Sequence, residues 1–359
     1  MHLGNTLYQI AAAGKSATLV AIAAVVATTG AMAEATLTGS IQVGTNQTSS
    51  ITTGGAASNS LALDDSNGNT ALQIGVSEDL GDGMKAFGNI GIELDNAGST
   101  GKNYGNHGVN ETYFGLSGAF GTLKGGALQT PQFLAIANGD AGGGYLVGNT
   151  VASLTQHQGG TVGSTTLIQA NSIQYTLPTF VDGLSLKYQT ALGELTTDLN
   201  GSQHYAADYK SGAFAAGVAY SSYKYTAALT DTATAYYATY NFGPATLKTL
   251  FGTAKTDGYD DVNGTSVGFT VPMGAATFMY NHGTSNGVVI NGVAGATARS
   301  VSTQGQTGDF LGVSYSLSKR TTAYAVYYKE SGNNGSATAY TADSSSSWNT
   351  TRFILIHSF

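Results

Sequence analysis

Apolar and polar residues alternate one by one along most of this chain, and that period limits what it can fold into. In Leu184-Ser185-Leu186-Lys187-Tyr188-Gln189 the alternation is unbroken. Ile173, Tyr175 and Leu177 alternate with Gln174 and Thr176, and Tyr205, Ala207 and Tyr209 with His204, Asp208 and Lys210. Phe214, Ala216, Val218 and Tyr220 form one more apolar face. Side chains of a strand point to opposite sides in turn, whereas a helix needs apolar positions three and four apart. The chain therefore reads as strands from residue 34 onward. No segment there approaches the roughly 18 apolar residues of a membrane-spanning helix.

The connections between these strands alternate in length. Short ones fall at Gly81-Asp82-Gly83, Gly118 to Gly121, Asp182-Gly183, Ser211-Gly212, Gly243-Pro244, Pro272 to Gly274 and Ser318-Lys319. Long polar ones fall at 46–69, 96–110, 131–165, 193–202, 222–232, 257–265, 284–307 and 331–347. Tight turns at one end and long loops at the other are the asymmetry of an outer-membrane barrel. Counting strands around them predicts sixteen, with about 20 residues for each strand and its connection, which suits strands of about 9–11 residues.

The polarity of the two faces agrees. A soluble sandwich covers its outer face with charge, but only 10% of this chain is charged, and the face opposite the apolar one is mostly Gly, Ser, Thr, Asn and Gln. Rings near strand ends (Tyr175, Tyr188, Tyr220, Phe242, Tyr280, Tyr315, Tyr328 and Phe359) belong at membrane–water interfaces. Closure into a barrel satisfies every backbone group in lipid. A secreted β-solenoid would require a fixed-period repeat, which is not seen. The fold class predicted is all-β: a sixteen-stranded antiparallel transmembrane barrel.

The first 33 residues read as a targeting segment. Lys15 precedes the apolar run 17–28 (ATLVAIAAVVAT), and Ala31-Met32-Ala33 follows as a small-residue cleavage site. This is the layout of a secretory signal peptide, with an apolar run too short to span a bilayer. The division expected is a signal peptide over 1–33 and a barrel over 34–359, exported to the outer membrane.

Several stretches resemble the general porins of Gram-negative bacteria, of the neisserial and burkholderial type. They are IGVSEDLGDGMKAFGNIGIE at 74–93, ETYFGLSGAFGTLKGGALQTP at 111–131, NSIQYTLP at 171–178, YSLSKRTT at 315–322 and the closing FILIHSF. The resemblance implies a homotrimeric diffusion channel for small hydrophilic solutes and ions. Its surroundings would be outer-membrane lipid and lipopolysaccharide, and the barrel assembly machinery would read Phe359 as an assembly signal. It implies that loop three, 131–165, folds inward and narrows the lumen, and that loop 96–110 latches over a neighbouring subunit. Where relatives often carry Arg, this chain has Ala127 and Gln174. Strict alternation from Leu123 points Ala127 at lipid unless a bulge intervenes.

Other chemistry is poorly supported. There are no cysteines and only three arginines, Arg299, Arg320 and Arg352, in a chain of net charge −7, which is a poor match for a nucleic-acid partner. His204 and Asp208 share a strand face but lie about 13 Å apart along it, too far for a catalytic pair. His107 and His157 have no metal-ligand spacing, and Asp257, Asp260 and Asp261 lack a calcium-loop frame. No catalytic group, cofactor or metal is expected; the rival reading is a barrel anchor for an adhesin or an enzyme. The expected pore-lining residues are Lys85, Glu93, Lys124, Asp140, Gln174, Lys187, Asp208, Lys210, Lys248, Lys329 and Arg352. With Asp64, Asp65 and Asp257 adding negative charge at the mouth, the opposing charges predict weak ion selectivity.

Overall fold

The structure, a computed structural model, describes residues 33–51, 70–93, 108–109, 111–143, 168–192, 201–224, 230–256, 261–286, 288–290, 300–302, 306–332 and 346–359. Residues 1–32 of the expected signal peptide 1–33, Asp64, Asp65, Asp257, Asp260, most of loop 96–110 and loop three beyond residue 143 lie outside these.

Most of the described strands form one antiparallel sheet closed on itself. Its strands are β1 (Glu34–Ile51), β2 (Ala71–Gly81), β3 (Met84–Glu93), β4 (Thr112–Gly118), β5 (Gly121–Gln129), β6 (Ile168–Thr176), β7 (Leu184–Ala191) and β8 (Ser202–Ser211). They continue as β9 (Phe214–Lys224), β10 (Thr230–Asn241), β11 (Thr246–Thr256), β12 (Val262–Met273), β13 (Ala276–Ser285), β14 (Gln306–Ser316), β15 (Thr321–Gly332) and β16 (Ser346–Ser358). Gly108–Val109 also pairs with β3 and extends the line of β4, so the wall has the sixteen strands expected. Each strand pairs with its sequence neighbours, and β16 closes on β1 from Ser40↔Ser358 to Ile51↔Ser347. Closure leaves no open edge, the condition for a sheet in lipid.

Strands run further into the long connections than the sequence reading allowed. β9 reaches Lys224 and β12 starts at Val262, while Val288–Ile290 pairs with Ser300–Ser302 as a small separate hairpin. Ser, Thr, Asn and Gly there read as loop, but at a barrel rim both faces meet water and apolar alternation is no longer required.

The two faces differ as a barrel requires. Leu37, Ile41, Val76, Ile90, Phe114, Tyr205, Tyr236, Phe269, Leu311 and Phe353 are exposed on the outside. Their strand neighbours Gln42, Gln174, Gln189, His204, Ser221, Ser266 and Asn281 are buried on the inside. The outer face is uneven around the ring. From β16 through β5 it carries Leu355, Leu37, Ile41, Val43, Val76, Ile90 and Leu123 with Phe353 and Phe114, and among the described residues no tyrosine. From β6 to β15 tyrosines recur: Tyr175, Tyr188, Tyr205, Tyr220, Tyr236, Tyr280, Tyr315 and Tyr327.

A bulge interrupts the pairing of β5 with β6. The register shifts between Gly126 and Leu128, where Ala127 alone faces Ala170 and Asn171, so the extra residue belongs to β6. Asn171 takes a φ of 52° and Gly126 one of 145°. Ala127 is only 8% exposed, against 44% for Leu123 on the same strand. β5 itself gains no residue, since its register with β4 runs unshifted to Thr112↔Ala127.

Helix α1 (Pro131–Gly139) follows β5 at once. Thr130 caps it by accepting from the Phe133 N–H at 3.2 Å, and Pro131 sits in its first turn, where a missing N–H is harmless. The helix packs not on β5 but on β8 to β11, well round the ring, so it lies within the barrel. Ala135 and Ile136 meet the inner-face side chains Ala219, Ala235, Tyr237 and Leu250.

Candidate functional site

The inner wall is where side chains and water meet, and its polar groups fall into linked sets. On β7, β8 and β10, Lys187 Nζ lies 3.2 Å from Asp208 Oδ2, and the Tyr237 hydroxyl donates to Asp208 Oδ1 at 2.9 Å. One carboxylate thus serves a cation and a phenol from strands on either side. The register places Lys187 one rung diagonal to Asp208 and puts Gly217 of β9 directly between Asp208 and Tyr237.

Further along β8, His204 is fully buried. Its Nδ1 lies 2.8 Å from Ser221 Oγ, and its Nε2 lies 3.2 Å from both Ser202 Oγ and Gln169 Oε1. Tyr223 meets its ring edge-on at 5.2 Å between centroids. His204 and Asp208 are thus in separate sets, as their spacing required, and no nucleophile–base pair is formed between them. On β6 and β7, Gln174 Nε2 donates to Gln189 Oε1 at 2.8 Å, and Gln189 Nε2 donates to Ser172 Oγ at 3.4 Å.

Helix α1 ends against this wall. A Cβ on Gly139 would sit 2.9 Å from the Thr249 carbonyl oxygen and from Tyr237 Cβ, so only glycine allows that approach. Next to it the Lys248 ammonium donates to the Asp140 carbonyl oxygen at 2.8 Å. A cation at a helix C-terminus meets carbonyls that lack intrahelical partners. Asp140 itself is buried.

Most expected pore-lining residues fall on the inner face. Lys124 of β5 faces inward opposite Gln174 and stands 4.4 Å over the Tyr113 ring. Lys187, Asp208, Gln174 and Lys248 are inward and engaged as described. Lys85 and Lys210 have inward parity next to short turns, opposite Ser117 and Ala215, and are exposed. Arg352 has inward parity opposite Val326. The side chain of Glu93, at the end of β3, lies outside the described residues.

Lys329 is a correction: it points outward. Its strand partners are Asp309 and Asn349, on the same side as Tyr327, which is 40% exposed, while Tyr328 is 1% exposed and inside. Consecutive tyrosines at 327 and 328 suit either face, so the sequence alone does not fix the parity of β15; pairing with β16, whose outward residues are Phe353 and Leu355, does. Tyr328 is therefore not one of the interface rings. The inner wall is also less polar than expected at β13 to β15, where Met279, Phe310, Val326 and Tyr328 pack together. Tyr237 and Gly217 were not among the expected site residues; the signal for Tyr237 was that adjacent strand residues face opposite ways, so one of Tyr236 and Tyr237 must point inward.

Among the described residues no group of three or more His, Cys, Asp or Glu is arranged to hold a metal ion. A closed wall with polar side chains inside and an apolar outside can pass hydrophilic solutes.

Comparison with known proteins agrees with the geometry. A family model for Gram-negative porins matches residues 19–335. The chain belongs to the Gram-negative porin family. Its fold resembles that of an anion-selective porin from Comamonas acidovorans, with a TM-score of 0.72 at 19% identity over 91% of this chain and 100% of the other. It also resembles OmpF of Salmonella typhi, solved with daunomycin, at a TM-score of 0.65 and 14% identity over 90% of this chain and 97% of that one. The trimer form of OmpT, an outer membrane protein of Vibrio cholerae, gives a TM-score of 0.67 at 13% identity over 91% and 99% of the two chains. Comparison with curated protein sequences returns no match. The porin is accordingly an outer-membrane channel, and the fold places its aqueous path inside the ring of sixteen strands.

Proposed function

We propose that this porin is a passive channel for small hydrophilic solutes and ions with weak preference for either charge, and that it is not an enzyme. The observation that carries this is the matching of charges on the inner wall. Lys187 is compensated by Asp208, and Lys248 is directed at the carbonyl end of α1 rather than at open lumen. Lys85 and Lys210 lie beside the short turns, where the path is wide and water screens them within about 8–10 Å. Few uncompensated charges then remain to focus a field in the narrow section. Loop three, of which α1 is the described part, forms that narrow section.

The remaining features follow the same reading. Residues 1–33 are a signal peptide removed on export, and the barrel assembly machinery inserts the chain with Phe359 as part of its signal. Three copies associate through the arc from β16 to β5, whose described outer face carries no tyrosine. Loop 96–110 latches over the neighbour. The five stretches quoted above support a place among neisserial and burkholderial porins.

Planar-bilayer recording in a KCl gradient tests the channel reading. The expected result is stepwise conductance with a cation-to-anion permeability ratio within about threefold of unity, the scale of a potential of order one kT. A ratio far above or below that range would refute weak selectivity, and a silent bilayer would refute the open channel.

A further inference from the structure

On the inner face of β3 to β5, two aromatic rings and a lysine share one corner. Phe87 is opposite Gly115 and Gly115 is opposite Lys124, so the three stand on one rung. Gly115 has no side chain, and the Phe87 ring lies over it: a Cβ there would sit 2.7 Å from Phe87 Cζ. Tyr113 stands edge-on to Phe87, with ring centroids 6.1 Å apart and planes at 76°. Lys124 Nζ is 4.4 Å from the centre of the Tyr113 ring, and among the described residues it is the one lysine placed over an aromatic ring. Gly126, opposite Tyr113, brings no side chain into the corner.

These groups are not spent on packing. Phe87 and Tyr113 are half-buried and belong to none of the buried apolar clusters of the wall. Lys187 is paired with Asp208 and Lys248 is bonded to the Asp140 carbonyl, whereas among the described residues neither a hydrogen bond nor an ion pair within 4 Å holds the Lys124 ammonium. Gln174, opposite Lys124, is bonded to Gln189 instead. Two carboxylates share this face and both are engaged with backbone. Asp79 Oδ1 accepts from the Gly81 N–H at 2.9 Å, and Glu111 Oε1 accepts from the Gln129 N–H at 3.0 Å. Helix α1 packs on β8 to β11, so this corner is not part of its seat.

We propose that the corner is a binding site for aromatic carboxylates, with Phe87 and Tyr113 receiving the ring and Lys124 the carboxylate. The proposal rests on the porin reading, which puts this face in water, and it names a solute class for that channel. Aromatic pairs favour offset-stacked or edge-to-face contact, so the angle between two edge-on rings offers a third ring one of each. Lys124 keeps three ammonium donors, and a carboxylate accepts charge-assisted hydrogen bonds from them. A small inorganic anion uses only the lysine and a neutral ring only the two aromatics. The corner therefore favours a solute that carries both groups next to each other.

The test titrates the purified full-length porin in detergent with potassium benzoate, followed by saturation-transfer NMR. Cyclohexanecarboxylate, which has the charge without the aromatic ring, and benzamide, which has the ring without the charge, are titrated in parallel. Wild type is expected to bind benzoate about fivefold more tightly than cyclohexanecarboxylate, the scale of one aromatic pair contact. Lys124→Gln should weaken benzoate about tenfold, the loss that removing one charged hydrogen bond brings, and leave benzamide within about twofold. Phe87→Leu should weaken benzoate and benzamide alike, about fivefold. Lys124→Arg keeps the charge and stays within about twofold of wild type. Lys319→Gln, on the short turn between β14 and β15, should change nothing. No binding of benzoate to wild type, equal affinity of wild type for benzoate and cyclohexanecarboxylate, or equal benzoate affinity of wild type and Lys124→Gln would each overturn the proposal. The binding is read without current, so a wild type silent in KCl would strike the channel reading and leave these affinities standing.

Discussion

The Tyr237 hydroxyl reaches Asp208 Oδ1 at 2.9 Å across an intervening strand, and it does so over Gly217. Any side chain there would fill the path: a Cβ on Gly217 would lie 2.6 Å from Asp208 Oδ1 and would strike the Tyr237 ring. Gly217→Ala should therefore break the bond and strain the wall, with an overpacking cost of about 1–3 kcal/mol. The measurement is the temperature at which the folded form converts to the unfolded band on detergent electrophoresis. An unchanged temperature would contradict the tight approach.

Asp208 also balances Lys187. Asp208→Asn keeps an acceptor for Tyr237 but removes the negative charge, so the reversal potential should move toward anions. Lys187→Gln should move it toward cations, each by about twofold in permeability ratio, less than one kT. The double variant should return near wild type. Shifts of the same sign from both single variants would show that the pair does not face the conducting path.

Gln174→Arg places a cation beside Lys124, its partner across β5 and β6. Gln174 is buried and bonded to Gln189, so the guanidinium must displace that amide and extend into the lumen. The expected result is a shift toward anions in the same KCl gradient. No shift would show that this stretch of wall lies away from the narrow section.

Lys248 is a positioning residue for α1. Lys248→Met keeps the stem and removes the donor to Asp140, a contact at a helix C-terminus of a type that contributes about 0.3–1 kcal/mol and up to about 2 when partly buried. Open-channel current noise should rise while the reversal potential stays nearly constant. A large potential shift with unchanged noise would show that Lys248 acts as a free fixed charge instead.

Phe359 joins the chain's end to its first strand: its N–H donates to the Gly39 carbonyl at 3.0 Å, and the Gly39 N–H donates back at 3.3 Å. Deleting Phe359 should lower the yield of barrel in the outer membrane several-fold. Yield and heat-modifiable mobility equal to wild type would argue against its role in assembly.

The wall was legible because a barrel repeats one local rule. The unbroken alternation at 184–189 gave β7 its faces, and seven short turns placed strand ends to within a few residues. The rule fails where two neighbours are equally fit for either face, as at Tyr236-Tyr237 and Tyr327-Tyr328; there the parity is set by the partner strand. It fails again where Ala170 and Asn171 of β6 face Ala127 alone, an irregularity with no period to announce it. That loop three turns inward was implied only by the family resemblance, and the seat of α1 on β8 to β11 had no local signal. Lys248 and Asp140 are far apart in sequence and carry no local pattern, and the glycine at 139 looks like any helix-ending residue.

Only the last strand closes the ring. Until Ser346–Ser358 comes alongside Glu34–Ile51, β1 and whichever strand is then last each carry a full row of unpaired amides and carbonyls. Nearly the entire chain must stay assembled around that gap, because the contact that ends it joins residue 40 to residue 358. Contacts of such separation form late. An unfinished copy is thus a curved sheet with two sticky rims, able to template onto another unfinished copy, and the same rows of donors that lock the mature wall make the half-built one a hazard until its final residues arrive.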